Sequence, residues 1–226
     1  MRQSIRHVLC VGAVTLGPLL IASCGGGGNA RLRLMNASPD VGSVDVVVDG
    51  KTVSNGVVFG TSSSYASVSS GSRDLQIDPA STTTPLIDES VNLTSGTDST
   101  VLLANFATSP SAIILQDDNS APTTGNAKLR IIHAAPSLTP ADVYIAPDGT
   151  DINSVAPVIS GMGFETASGY ESLAAGTYRI WFTAPGQKFI FIDSGPVSLS
   201  AGQVRTLVGL NDASGTYSST VLADLN

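Results

Sequence analysis

Histidine and cysteine are nearly absent from this chain of 226 residues: His7, His133, Cys10 and Cys24 are all it has. Only His133 lies beyond the N-terminal segment, so a metal site built from several histidines is excluded and a serine triad would depend on that one residue. No Gly-x-Ser-x-Gly elbow accompanies it. With both cysteines near the N-terminus, neither a disulfide framework nor a thiolate-held metal is available to the rest of the chain, and stability has to come from packing. Charged residues make up 13% of the sequence and aromatics 5%, with a single tryptophan, Trp181. The formal net charge is -7, which argues against a nucleic-acid partner. No window has convincing helical periodicity, and no glycine-rich loop opens a helix as a phosphate cradle would.

What remains is rich in Ser, Thr, Gly and Val, the composition of short strands and turns. The N-terminus is different. Arg2 and Arg6 precede an apolar run from Val8 to Leu20 that is broken by Gly12, Gly17 and Pro18, and Ile21-Ala22-Ser23-Cys24 follows. A charged start, a short apolar middle and small residues at a cut site predict a secretory signal over residues 1–23. The run is too short and too broken for a transmembrane helix, which needs about 20 apolar residues. Ile21, Ala22, Ser23 and Cys24 resemble the bacterial lipobox, and the resemblance implies cleavage before Cys24 and lipid on its thiol. Two or three acyl chains would anchor the protein durably where one would not. Residues 24–29, Cys24 with a glycine run ending at Asn29, read as a flexible tether. The resemblance also implies an outer-membrane lipoprotein, periplasmic or surface-exposed, because Gly25 stands where an Asp usually marks inner-membrane retention. Loss of Arg2 and Arg6 would take the mature charge to about -9.

The rest of the chain matches itself at a spacing of about 100 residues. Arg31-Leu32-Arg33-Leu34-Met35-Asn36-Ala37-Ser38-Pro39 aligns with Lys128-Leu129-Arg130-Ile131-Ile132-His133-Ala134-Ala135-Pro136. Each copy then runs into an Asp-Val strand and an Asp-Gly turn, at Asp49-Gly50 and Asp148-Gly149. Phe59, Tyr65, Val68, Gly71, Leu75 and Ile77 correspond to Phe164, Tyr170, Leu173, Gly176, Ile180 and Phe182. Strands spaced by turn signals, seven or eight in each copy, predict an all-β chain of two tandem antiparallel β-sandwiches, immunoglobulin-like or transthyretin-like, behind a signal-peptide helix. The first sandwich is expected over residues 30–119 and the second over 120–226.

At Asn36-Ala37-Ser38-Pro39-Asp40 and His133-Ala134-Ala135-Pro136, with Gly176-Thr177-Tyr178 further on, the chain resembles the domain of unknown function 4397 family. That resemblance implies secreted or lipid-anchored tandem domains, and it supplies no catalytic residues. The first copy carries Asn36 where the second has His133, so both are expected to hydrogen-bond the turn that follows.

Two groups of side chains could bind something. Asp117, Asp118 and Asn119, at the junction of the copies, are weak calcium candidates, with a solvated linker as the plainer reading. Trp181 falls on the strand face opposite the apolar positions shared with the first copy, where its counterpart is Gln76. Facing outward, it could pack on the other domain, meet a partner or stack on a sugar ring, together with Phe189 and Phe191. No cofactor or metal is otherwise expected, and no paired carboxylates stand out for glycosidic chemistry. The expectation is a non-enzymatic, lipid-anchored envelope protein with a structural or protein-interaction role. The alternative is a carbohydrate or polymer binder around Trp181.

Overall fold

The computed structural model describes residues 27–82, 84–138 and 140–224. The expected signal peptide and the Ile21-Ala22-Ser23-Cys24 motif lie outside the described residues. The first repeat contains β1 (Asn29–Asn36), β2 (Val44–Val48), β3 (Lys51–Val57), β4 (Ala66–Ser69), β5 (Gly71–Pro79), β6 (Ile87–Leu93), β7 (Asp98–Ala104) and β8 (Ser111–Asp117). The second contains β9 (Asn126–His133), β10 (Ala141–Pro147), β11 (Ile159–Met162), β12 (Thr166–Ala174), β13 (Gly176–Thr183), β14 (Ile190–Leu199), β15 (Val204–Asn211) and β16 (Tyr217–Ala223). A single 3-10 turn, Ile152–Ser154, is the helical content among the described residues, and none of it is long and apolar enough to cross a membrane.

Each repeat folds into two four-stranded sheets, β4-β1-β7-β8 and β3-β2-β5-β6 in the first, β12-β9-β15-β16 and β11-β10-β13-β14 in the second. The immunoglobulin arrangement, which puts its first, second, fourth and fifth strands in one sheet, is excluded because β1 and β2 lie in different sheets. The order is of the transthyretin-like type. It also departs from a purely antiparallel sandwich, since β1 runs parallel to β7 and β9 parallel to β15.

The sheets stack in four layers, and the two inner ones, built on β1 and β9, touch each other. Leu32 and Leu34 of β1 point into the first repeat's core with Val44, Val46, Leu75, Ile77 and Leu103. The opposite face of β1 carries Met35, which joins Leu102, Ile132, Val208, Leu210 and Leu222 in a separate cluster between the repeats. Covered on both faces, β7 is buried along its whole length, whereas β2 in an outer sheet alternates between buried and half-buried positions. This is why β7 carries the continuous apolar run Val101-Leu102-Leu103-Ala104, while β1 and β9 place Arg33 and Arg130 on the face between the repeats.

Turn chemistry accounts for the tight connections. Asp49 and Gly50 both take positive φ, 50° and 74°, and close the β2–β3 hairpin in two residues. The matching Asp148-Gly149 opens instead into an eleven-residue connection, residues 148–158, that contains the 3-10 turn. At the N-terminus the tether ends earlier than expected: Asn29 already pairs with Ser69, and the Gly28 carbonyl accepts the Ser70 N–H at 2.9 Å.

Candidate functional site

Strand β1 places Arg33, and strand β9 places Arg130, on the buried faces that meet between the repeats; each is only 2% exposed. A guanidinium cannot be left there unpaired. Arg33 is paired with Asp224 just beyond β16, across the junction, and donates to Thr100 Oγ1 at 2.8 Å and to the Ala223 carbonyl at 3.1 Å. Arg130 does the same in reverse, reaching Asp117 of β8 at 2.6 Å, Thr206 Oγ1 at 3.2 Å and the Gln116 carbonyl at 3.3 Å. Each arginine therefore finds its carboxylate in the other repeat. The surroundings repeat as well: Tyr65 stacks on Arg33 and donates its hydroxyl to Asp117, and Tyr170 stacks on Arg130 and donates to Asp224.

The electrostatics follow from this enclosure. Burial pushes the Tyr65 and Tyr170 hydroxyls well above the usual phenol range, so both remain donors. Burial works against the charge on Arg33, but Asp224, with Tyr65 and Asp117, more than offsets it and holds the guanidinium protonated. Two further ties close the ends of the junction. Lys128 donates to Asp118 at 2.6 Å at the end where β1 and β9 begin, and Ser111 donates to Glu165 where β8 begins.

The sequence called attention to Asp117, Asp118 and Asn119 for a different reason, and the structure corrects it. Asp117 is buried and takes hydrogen bonds from Arg130, Tyr65 and Thr100. Asp118 accepts from Lys128 at 2.6 Å and from Ser120, which together hold its carboxyl down at about 2. The two carboxylates are taken up by separate protein donors, and Asn119 is itself a donor, to Asp98 at 2.8 Å and to the Tyr65 hydroxyl at 3.4 Å, so the three do not converge as calcium ligands would. Among the described residues, no group of three or more His, Cys, Asp or Glu is placed to hold a metal. Repeated signals marked the true network: Arg33 with Arg130, and Tyr65 with Tyr170, align in the two copies.

His133 and Asn36 do serve their turns. Asn36 Oδ1 accepts the Ser38 N–H at 3.1 Å, and His133 Nδ1 accepts the Ala135 N–H at 3.4 Å. His133 is fully buried, with the rings of Phe164 and Phe182 edge-on at 6.2 and 5.9 Å.

Trp181 lies on the outer face of the second repeat, as its register requires, opposite Tyr144 on β10 and Asp193 on β14. It is nevertheless only 4% exposed. The expected open or interdomain aromatic face is corrected: Ile152 and Val155, from the β10–β11 connection, cover Trp181, Tyr144 and Ala146. Lys188 ties that connection down, donating to the Ile152 and Val155 carbonyls at 2.7 and 2.5 Å while sitting 4.0 Å from the Tyr144 ring centre. Phe189 and Phe191 belong elsewhere. Phe189, 64% exposed, packs edge-on against Phe191, which leans on the second core and on Tyr217.

No curated protein matches the chain. Solved structures similar to it include a streptococcal virulence factor described for alpha-glucan binding, at 11% identity over 84% of this chain and 97% of that one, with a TM-score of 0.27. Another is a family 26 carbohydrate-binding module of Eubacterium rectale Amy13K in complex with maltoheptaose, at 9% identity over 88% and 98% of the two chains, with a TM-score of 0.26. These likenesses are too distant to transfer a ligand. The family comparison is direct, its model matching residues 30–144 and again 131–226, and the chain belongs to the family described as domain of unknown function DUF4397.

Proposed function

We propose that this protein is a non-enzymatic, lipid-anchored component of the bacterial cell envelope, whose two repeats work as one stiff body presented at a distance from the membrane. The observation that carries the reading is the exchange of buried Arg-Asp pairs between the repeats, since two modules that had to move independently would not place their arginines' counter-ions on each other. Strand β1 begins directly after the glycine run, so a lipid on Cys24 would hold the body by the end that carries Asn29, Asp98 and Asn119. The hairpin bearing Phe189 then lies at the far end, beside His133 and Phe182, where an envelope protein partner could reach it. The Gly25 position favours the outer membrane on the lipobox resemblance, and the body would serve a structural or protein-interaction role there.

Anchoring has a direct test. Cells given labelled palmitate should incorporate it into this protein, and Cys24→Ala should abolish incorporation and release the protein from the membrane fraction. Incorporation that survives Cys24→Ala would remove the anchor from the account, and a hydrolytic activity lost with a single acidic side chain or with His133 would overturn the non-enzymatic reading.

A further inference from the structure

The outer sheets of the two repeats differ at one spot. Where the first has Val47 opposite Gln76, the second has Tyr144 opposite Trp181. In the first repeat β2 turns into β3 through Asp49 and Gly50 alone, while in the second residues 148–158 lie between β10 and β11 and fold over those two rings. The first repeat builds the same sheets without the rings and without the loop. The pair is therefore an addition to one face of one repeat that the scaffold does not need.

The cover is thin. No residue of the 3-10 turn Ile152–Ser154 is buried, and its cap is local, Asp151 accepting from the Asn153 N–H. Lys188 is the tie from the neighbouring hairpin. Beside the loop a depression of about 320 Å³ is lined by Thr150, Asp151, Arg179, Trp181, Ile190 and Asp193. That volume lies at the lower end of small-molecule sites. Its polar wall is preorganised: Arg179 grips Asp193 through two hydrogen bonds of 2.8 and 2.9 Å and lies 3.5 Å from Asp148. Arg179 chiefly, with help from the Gly195 amide and the Trp181 indole N–H, holds the Asp193 carboxyl below its usual range against the effect of partial burial.

We propose that this depression is a saccharide-binding site with the 148–158 loop as its lid. An indole next to a fixed guanidinium and carboxylate matches a pyranose ring, whose C–H face packs on an aromatic surface while its hydroxyls exchange hydrogen bonds with planar polar groups. Asp148, Asp151 and Asp193 outnumber Arg179 and Lys188 around the depression, so the sugar is neutral rather than anionic. Movement of the loop exposes the Trp181 face to it.

Because Trp181 is the only tryptophan, its emission reports on the site without a label. The full chain is titrated with neutral cello-, malto-, xylo- and N-acetylated chito-hexaoses, following emission and acrylamide quenching, with calorimetry for variants that lack the indole. Lys188→Ala, which frees the loop, is expected to raise quenching of Trp181 at least twofold and to keep or strengthen binding. Trp181→Gln installs the first repeat's residue and should weaken binding at least tenfold, with far-UV circular dichroism unchanged. No response to any of the sugars in either the wild type or Lys188→Ala overturns the site, as does full binding by Trp181→Gln. Equal quenching of the wild type and Lys188→Ala overturns the lid. None of these results bears on palmitate incorporation, so the anchor and the site stand or fall separately.

Discussion

Asp224→Ala is expected to lower the stability of the whole protein by about 3–5 kcal/mol, the usual cost of removing one partner from a buried ion pair. Arg33 would remain at 2% exposure with its charge and with Thr100 and the Ala223 carbonyl as direct hydrogen-bond acceptors, Asp117 standing 3.9 Å away. Asp117→Ala should behave alike through Arg130. The exposed pair between Lys128 and Asp118 is the natural control: its carboxylate is 55% exposed, and Asp118→Ala should cost no more than about 1 kcal/mol. Urea denaturation of the three variants decides the point. Equal and small losses would mean that the interface charges are hydrated in solution. Replacing Arg33 and Asp224 together by apolar side chains should recover most of the loss, because the penalty lies in the stranded charge rather than in the missing attraction.

Gly209→Leu is the second large effect. A Cβ on Gly209 would stand 2.9 Å from Phe182 Cζ and 3.0 Å from Ile192 Cδ1, inside the distance that real side chains keep. Overpacking of this kind costs about 1–3 kcal/mol. The first repeat shows the alternative solution. There the parallel partner of Asn36 is Leu103, and Ile77 occupies the place of Phe182; in the second repeat the partner of His133 is Gly209. One repeat fills its core with leucine and isoleucine, the other with phenylalanine over glycine. Phe182→Ile combined with Gly209→Leu should therefore be markedly more stable than the sum of the two single changes, with a coupling of about 0.5–3 kcal/mol in thermal or urea unfolding. Strict additivity would show that the two cores are not interchangeable in this way.

Much of the architecture was legible in the sequence because it is carried by short-range signals. The duplicated Arg-Leu-Arg-Leu and Lys-Leu-Arg-Ile segments fix the two repeats, Asp49-Gly50 fixes a hairpin, and alternation put Trp181 on the face opposite Ile180 and Phe182. What alternation does not reveal is what covers a face. Arg33 and Arg130 look like ordinary outward residues of a half-buried strand until the other repeat, with Asp224 and Asp117, closes over them. Asp117 looked solvated for the same reason, since its partner Arg130 belongs to another sheet. Trp181 reads as an outward side chain to be covered by the other domain, a partner or a sugar, because nothing in residues 148–158 signals that Ile152 and Val155 fold back onto it. The parallel pairing of β1 with β7 also depends on contacts between distant segments, and local patterning cannot encode it.

With their buried arginines paired across the junction, the two repeats are expected to unfold as one cooperative body. Trp181 sits in the second repeat, so its emission follows that repeat alone, while far-UV circular dichroism follows both. Leu34→Ala removes a side chain that is 1% exposed in the core of the first repeat and should cost about 2–5 kcal/mol. In urea, the Trp181 transition of this variant is expected to move to lower denaturant together with the circular-dichroism transition. A Trp181 midpoint that stays at its wild-type value, while part of the circular-dichroism signal is lost earlier, would show that the repeats unfold separately and would contradict the account.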